Sequence, residues 1–406
     1  MVAMDAPANL PRSAGVVIVG GGVIGASTAF QLTRRGVTPL LLERQQLGAG
    51  ASGKSGALVR AHYANTHEAQ LTLRSLDVFR NWDSVVGHGS PGFIEQGFLQ
   101  VVSPEDEPKL RTNVAALRGI GANTWVVDTG EIREIDPLMR TDDITCAAFE
   151  PESGYCDPNG TLYGFAAGAE AGGATIATQT EVTGIEVEGG RVKAVETSAG
   201  RVETERVLIA GGAWANRLLG PLGIEVGLVP RRLQVAVFRH PPEMPEGLSH
   251  RVVIDASNHS WLRPEGIRCT LIGAERQTYE GDPDTYSQSI DGPVVDDARR
   301  ALANRYPVFE HATMRGGWAG IIMMSSDSHP ILDRVPGVEG AWVFTGDSGT
   351  SFKTSPAIGA ILADWMTDGG TAGFDVEPFR ITRFAEGRPW VDETGYSSMP
   401  LQSVSR

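Results

Sequence analysis

The stretch from Val16 to Glu43 constrains the fold of this chain more than any other. Val16-Val17-Ile18-Val19 is an apolar β run, and Gly20-Gly21-Gly22-Val23-Ile24-Gly25 follows it directly. A helical stretch then runs from Ala26 to Arg35 and stops at Gly36, and a second apolar strand, Pro39-Leu40-Leu41-Leu42, ends at Glu43. Strand, glycine turn, helix, strand and terminal acid together make a βαβ unit of the dinucleotide-binding kind. Gly20 permits the tight turn, Gly22 lets the backbone approach a pyrophosphate, and Gly25 lets the helix pack on the sheet. The positive end of the helix dipole then faces the phosphates. Glu43 stands 18 residues after Gly25, near the separation of about 20 expected of a ribose-binding acid. The motif by itself does not separate a flavin from a nicotinamide dinucleotide.

Bulk properties narrow the partners. A chain of 406 residues suits two packed domains. A net charge of −14 argues against nucleic acid and against anionic membranes. An anionic ligand therefore needs a local positive site. Cys146, Cys156 and Cys269 form neither a disulfide framework nor a metal-ligand spacing, which fits a reducing compartment and no bound metal. The N-terminal MVAMDAPANLPRSAG lacks an apolar h-region. No apolar run approaches the roughly 20 residues of a membrane helix. The expectation is a soluble, cytoplasmic protein without membrane insertion.

Further elements follow from periodicity. Leu71, Leu73, Leu76 and Phe79 mark a helix over 66–82, and 105–120 and 161–171 read as helices. Strands are expected at Phe98–Val102, Thr175–Thr178, Thr183–Val187, Arg191–Thr197, Arg206–Ala210 and Trp342–Thr345. Gly189-Gly190 is a hairpin signal. Alternating runs such as Gln234–Phe238 and Cys269–Gly273 predict a second, antiparallel sheet over 230–325, and the chain after Arg383 reads as weakly structured.

Four stretches carry a family resemblance. They are Val17–Gly25 with Glu43-Arg44; Gly50-Ala51-Ser52-Gly53-Lys54-Ser55-Gly56-Ala57-Leu58-Val59-Arg60; Thr204–Trp214; and Phe344-Thr345-Gly346-Asp347-Ser348-Gly349-Thr350-Ser351-Phe352-Lys353. In order and spacing the chain resembles the D-amino-acid oxidase superfamily of flavoproteins, particularly sarcosine oxidases and glycine oxidase, from Val16 to about Trp365. The resemblance implies FAD as cofactor. It places FAD contacts at Gly20, Gly22, Val23, Ile24, Gly25, Glu43 and Arg44, then at Ser52, Gly53, Lys54 and Ser55. It adds Val182, Ala210, Gly211 and Trp214, and finally Gly346, Gly349, Thr350, Ser351 and Phe352. The fourth stretch is also a glycine-rich turn before a helix, whose free N–H groups suit the negative charge of a reduced flavin.

The resemblance further implies oxidation of a C–N bond, with hydride passing to flavin N5 and the imine then hydrolysed. Arg60 and Lys353 match the cations that hold a substrate carboxylate in the sarcosine-oxidase branch, and His62 and Tyr63 are candidates to line the same cavity. Secondary (N-alkyl) amino acids are the substrate the branch implies. Two departures matter. Trp318, in Gly316-Gly317-Trp318-Ala319-Gly320, stands where monomeric sarcosine oxidases carry the cysteine that bonds to FAD, so non-covalent FAD is expected. Leu271 aligns with their oxygen-activating lysine, which leaves O2 or another electron acceptor open.

Three other functions remain open at this point: a 2-hydroxy-acid oxidase or dehydrogenase, a flavin subunit of a larger oxidoreductase complex, and an NAD(P)H-dependent hydroxylase. A homo-oligomer is also compatible. The expected fold is α/β. A discontinuous FAD-binding Rossmann-like domain takes 14–90, 150–228 and 326–372. A second domain on a mixed, largely antiparallel sheet takes 91–149 and 229–325. Tails are expected at 1–13 and 384–406.

Overall fold

Apolar runs three to five residues long become the strands of a parallel sheet whose two faces are both covered. This computed structural model describes residues 10–274, 279–371 and 373–397. Val17–Val19, Leu40–Leu42, Thr175–Ala177, Val207–Ile209 and Ala341–Thr345 lie parallel, with Ile331–Arg334 antiparallel at one edge. Across the sheet the parallel strands stand third, second, first, fourth, fifth, the order of a dinucleotide-binding sheet. Ile18, Leu41, Leu208 and Phe344 pack with residues of the helices Val23–Thr33, Pro158–Ala171 and Ser355–Thr367. Val17, Val19, Leu40, Leu42, Val207 and Ile209 face the other way, onto a three-stranded meander over 182–203. Burial on both faces explains why these strands read as continuous apolar runs rather than as alternation. In the meander, Gly189 (φ 59°) and Gly190 (φ 77°) make the expected two-residue hairpin.

The first helix begins at Val23, earlier than the periodicity suggests, because the glycine turn is itself its first turn. A Cβ on Gly25 would lie 2.0 Å from the Gly20 carbonyl oxygen, so only glycine lets helix and strand approach this closely.

The second sheet has nine strands, all antiparallel to their neighbours except Val252–Asp255, which runs parallel to Phe98–Val101. That parallel pair joins the strands at 98–150 to those at 229–324. The sheet is thus mixed and largely antiparallel. Two features depart from the sequence reading. A helix, Gly292–Arg305, packs on this sheet through Ala298, Ala301 and Leu302, at a place where the sequence reading named no helix. The segment after Arg383 carries no helix or strand among its described residues, yet it is packed rather than a loose tail. Tyr396 is 7% exposed, and the Trp390 ring stacks on His329 at 4.1 Å.

Arg305 fixes the helix to the sheet. Its guanidinium lies 2.7 Å from Asp255, both side chains fully buried, and 2.9 Å from the half-exposed Asp143. Removing Asp255 leaves a buried charge short of its inner partner. Asp255→Ala is expected to lower stability by about 3 kcal/mol, measured as a reduced urea midpoint with unchanged slope.

Candidate active site

One cavity runs from the glycine turn to the second sheet. At its near end Gly20, Gly22, Val23 and Ile24 form the wall, and no side chain caps the helix at Gly22. The Val23 N–H donates to Ser52 Oγ at 3.0 Å, which pins the loop 48–56 over the helix start. Glu43 accepts from the Gly21 and Gln45 N–H groups at 2.8 and 2.7 Å, and burial pushes its carboxyl above the usual range. Ala210 and Gly211 face this end from the fourth strand, and Thr180, Glu181 and Val182 lie beside Glu43 and Arg44. A Cβ on Gly20 (φ +112°) would meet the Ala210 carbonyl oxygen at 2.3 Å, so the cradle exists only with glycine there. An uncapped helix start, a glycine cradle and an acid at the second strand fit a dinucleotide.

At the far end the wall changes character. Leu58, Ile254 and Trp261 make it apolar, and the Trp261 ring lies on Gly56 and Gly273, where a Cβ would come within 2.3 and 2.4 Å of it. Arg60 and Lys353 supply the charge. Both are buried, and both lie against one ring: Arg60 Cζ is 4.8 Å and Lys353 Nζ 4.7 Å from the centre of Tyr63. Lys353 Nζ also donates to the Thr350 carbonyl at 2.9 Å, and the Tyr63 hydroxyl donates to the same oxygen at 3.2 Å. The Gly346–Lys353 turn thereby becomes one unit with Tyr63.

Two buried acids balance these cations. Glu150 accepts from the Ala61 N–H at 2.9 Å and from Ser153 Oγ at 2.6 Å; burial raises its pKa, while Arg60 and Lys353 oppose the rise. Asp347 lines the cavity, and burial pushes it up to about 6 against the N–H groups of Gly349 and Ser351 and the charge of Lys353.

Of the residues expected at the site, the cavity brings together Gly20, Gly22, Val23, Ile24, Glu43, Arg44, Ser52, Lys54, Ser55, Arg60, Val182, Ala210, Gly211, Trp214, Gly349, Thr350, Ser351, Phe352 and Lys353. Gly25, Gly53, Gly346, His62 and Tyr63 are not among the residues that line it. Gly25 serves helix packing. Gly53 packs within its own loop, where a Cβ would lie 2.6 Å from the Gly48 carbonyl oxygen. Gly346 (φ +61°) makes the turn, with a Cβ position 2.9 Å from Leu228. Tyr63 lies against both cations. His62 is buried and turned to Tyr396, 2.6 Å from its hydroxyl, and burial followed by the Arg60 charge lowers it to about 3, so it stays neutral.

Leu271 is buried and is not among the residues that line the cavity, which its strand meets through Gly273 and Ala274. Trp318 does line it and donates to the Lys54 carbonyl at 3.0 Å. Lys54 Nζ is taken up by the Ala49 carbonyl at 2.8 Å and the Tyr286 hydroxyl at 3.0 Å. Trp261, Ile254, Glu150 and Tyr396 were not singled out from sequence, and Asp347 was named within the fourth stretch but given no role at the site. For Glu150 the available signal was an acid closing an otherwise apolar strand, Cys146–Glu150.

Comparison with known proteins agrees with this geometry. A family model described as "DAO: FAD dependent oxidoreductase" matches residues 15–365. Glycine oxidase of Geobacillus kaustophilus (strain HTA426) is 27% identical over 376 residues, covering 91% of this chain and 96% of that protein. Sarcosine oxidase subunit beta of Arthrobacter sp is 25% identical over 398 residues, covering 96% and 95%. Mitochondrial sarcosine dehydrogenase of Mus musculus is 26% identical over 416 residues; 96% of this chain is covered, and it spans 44% of that protein's length. The crystal structure of L-proline dehydrogenase from P. horikoshii superposes with a TM-score of 0.86 at 25% identity, over 94% of this chain and 100% of that one.

The Asp347 environment has a measurable consequence. Below about pH 6 its carboxyl is neutral; above it, a negative charge opposes any carboxylate ligand at Arg60 and Lys353. Acetate, which has no amine to titrate, is expected to bind more weakly as pH rises through about 6. Asp347→Asn should flatten that dependence, read from the ligand's perturbation of the flavin spectrum.

Proposed function

Because this chain belongs to the DAO family of FAD-dependent oxidoreductases, we propose that it oxidises the C–N bond of a small amino acid, with a secondary (N-alkyl) amino acid favoured. The observation that carries this reading is the pair Arg60 and Lys353, both buried and both held against Tyr63 at one end of the cavity. Two fixed cations in an apolar surround are suited to a carboxylate, and Arg offers it a bidentate fork. Leu58, Ile254 and Trp261 leave the remainder of the substrate an apolar wall, and the Trp261 ring takes up space that favours a small substituent.

Among the described residues that line the cavity none is His, Cys or Tyr. Proton removal from the substrate nitrogen is therefore not assigned to such a group; the amine enters neutral, and the chain orients it by its carboxylate. The bound flavin supplies the acceptor for the two electrons. The imine that leaves is hydrolysed by water. The same lining, with Trp318 in it, supports FAD held without a covalent bond. Similarity to a protein named as one subunit of sarcosine oxidase, covering 95% of its length, supports work within a larger assembly.

Anaerobic mixing with a panel of amino and 2-hydroxy acids tests the reading. N-alkyl amino acids should bleach the flavin absorbance, and Arg60→Met should raise the concentration for half-bleaching by about 100-fold while the fully bleached spectrum stays the same. Bleaching by hydroxy acids alone would sink the proposal. Readmitted air then separates an oxidase from a dehydrogenase.

A further inference from the structure

Non-covalent retention of FAD, on which this inference rests, demands that the protein close on the dinucleotide by weak contacts alone. One carboxylate gathers three donors that line the cavity. Asp284 Oδ1 accepts from Trp214 Nε1 at 2.8 Å and lies 3.0 Å from an Arg44 nitrogen, and Oδ2 pairs with Arg217. The donors come from different places in the parallel-sheet layer. Arg44 follows the second strand, whereas Trp214 and Arg217 follow the fourth. Asp284 lies between the strand Tyr279–Glu280 of the larger sheet and the helix Gly292–Arg305.

These contacts reach across the cofactor end of the cavity. The Arg44 guanidinium lies 5.1 Å from the centre of the Trp214 ring, and that ring in turn lies beside Gly50, where a Cβ would be 3.5 Å from it. The indole thus spans from the turn after the fourth strand to the loop that covers the helix start. Two residues beyond Asp284, the Tyr286 hydroxyl meets Lys54 Nζ on that same loop at 3.0 Å. The other end of the segment is fixed: Arg232 donates to the carbonyls of Ser287 and Ser289 at 2.8 and 2.5 Å and pairs with Asp291 at 2.6 Å. A strap anchored on one sheet therefore grips three separate pieces of the cavity wall.

We propose that residues 281–291 form a clasp over the bound FAD, with Asp284 as the positioning residue that sets how long the cofactor stays. Release requires Trp214 and the loop 48–56 to part, and Asp284 holds Trp214 and Arg44 against that motion. The ion pairs are partly exposed, with Arg44, Arg217 and Asp284 at 27%, 48% and 33%. Singly they are weak and open to screening; their convergence on one carboxylate makes them act on one motion.

The test is the rate at which flavin fluorescence appears after rapid dilution of the FAD-loaded protein. Asp284→Ala should release FAD about tenfold faster, and Asp284→Asn less so, because its amide oxygen still accepts from Trp214. Sodium chloride should speed release from the unaltered protein and have little effect on Asp284→Ala. Anaerobic reduction of FAD-saturated variants by substrate should proceed as in the unaltered protein. Unchanged release from Asp284→Ala overturns the proposal, as does a salt response that persists undiminished in it. A lowered melting temperature of the cofactor-free variant with unchanged release makes Asp284 a plain tie between sheets and also overturns it. If Asp284→Ala does not fold, a flat salt response of the unaltered protein overturns it, and faster release from Tyr286→Phe supports it. Failure of the unaltered protein to take up FAD is a separate result and strikes the cofactor reading itself.

Discussion

Everything in the cavity is placed by one backbone contact, the seating of the first helix on the first strand through Gly25. With a Cβ excluded there by 2.0 Å, the helix start is driven down onto the carboxyl end of the strand. Gly20 repeats the arrangement sideways against Ala210, so that the first and fourth strands end at the same level. A helix seated one side chain further out would carry its N–H groups away from the phosphates, and the loop held by Ser52 would move with it. The dipole at the helix start then acts on a site whose depth is set by sterics, not by charge.

Besides the backbone bridge between Met324 and Asp347, side chains tie the second sheet to this frame. Trp261 crosses from it to Gly56, Arg263 donates to the Gly56 carbonyl at 2.5 Å, and Trp318 donates to the Lys54 carbonyl. All three contacts fall on the loop that follows the second strand. That loop consequently serves both ends of the cavity: Ser52 at the phosphate end, Leu58 and Arg60 at the apolar end. Small residues from Gly48 to Gly56 let it pass between the two sheets without steric conflict.

Much of the parallel-sheet layer was legible because its signals are local. A doubly buried strand is a run of Val, Leu and Ile, and a hairpin is Gly189-Gly190; neither needs knowledge of partners. The far wall was not legible for the converse reason. Ile254 and Trp261 reach the site because their strands pair with each other and with Phe98–Val101 and Cys269–Ala274, and alternation within a strand does not state its neighbours or which face meets a ligand. Gly273 and Ala274 line the cavity from the strand Cys269–Ala274, and the sequence reading named neither as a site residue. His62 was a fair candidate by adjacency to Arg60. Its orientation is decided by Tyr396, 334 residues away in a stretch with no periodic signal. The helix Gly292–Arg305 did carry a signal, since Val294, Ala298, Ala301 and Leu302 repeat at helical spacing, but it lay among β-like runs.

Charge balance at the far end bears on how a strongly acidic protein could hold the proposed anionic substrate. Two cations buried without compensation would be costly to the fold. Glu150 lies behind Arg60, out of the cavity, and Asp347 lies within it. Both are held above the usual carboxylate range by burial, so the balance they provide is soft: a proton can replace part of it. On the proposed reading, a substrate carboxylate would share the Lys353 charge with Asp347. Both cations lie against Tyr63, and the Thr350 carbonyl takes one donor from each of Lys353 and Tyr63. On the proposed reading, selectivity would rest on the apolar wall, where Trp261 occupies the space beside Gly56 and Gly273.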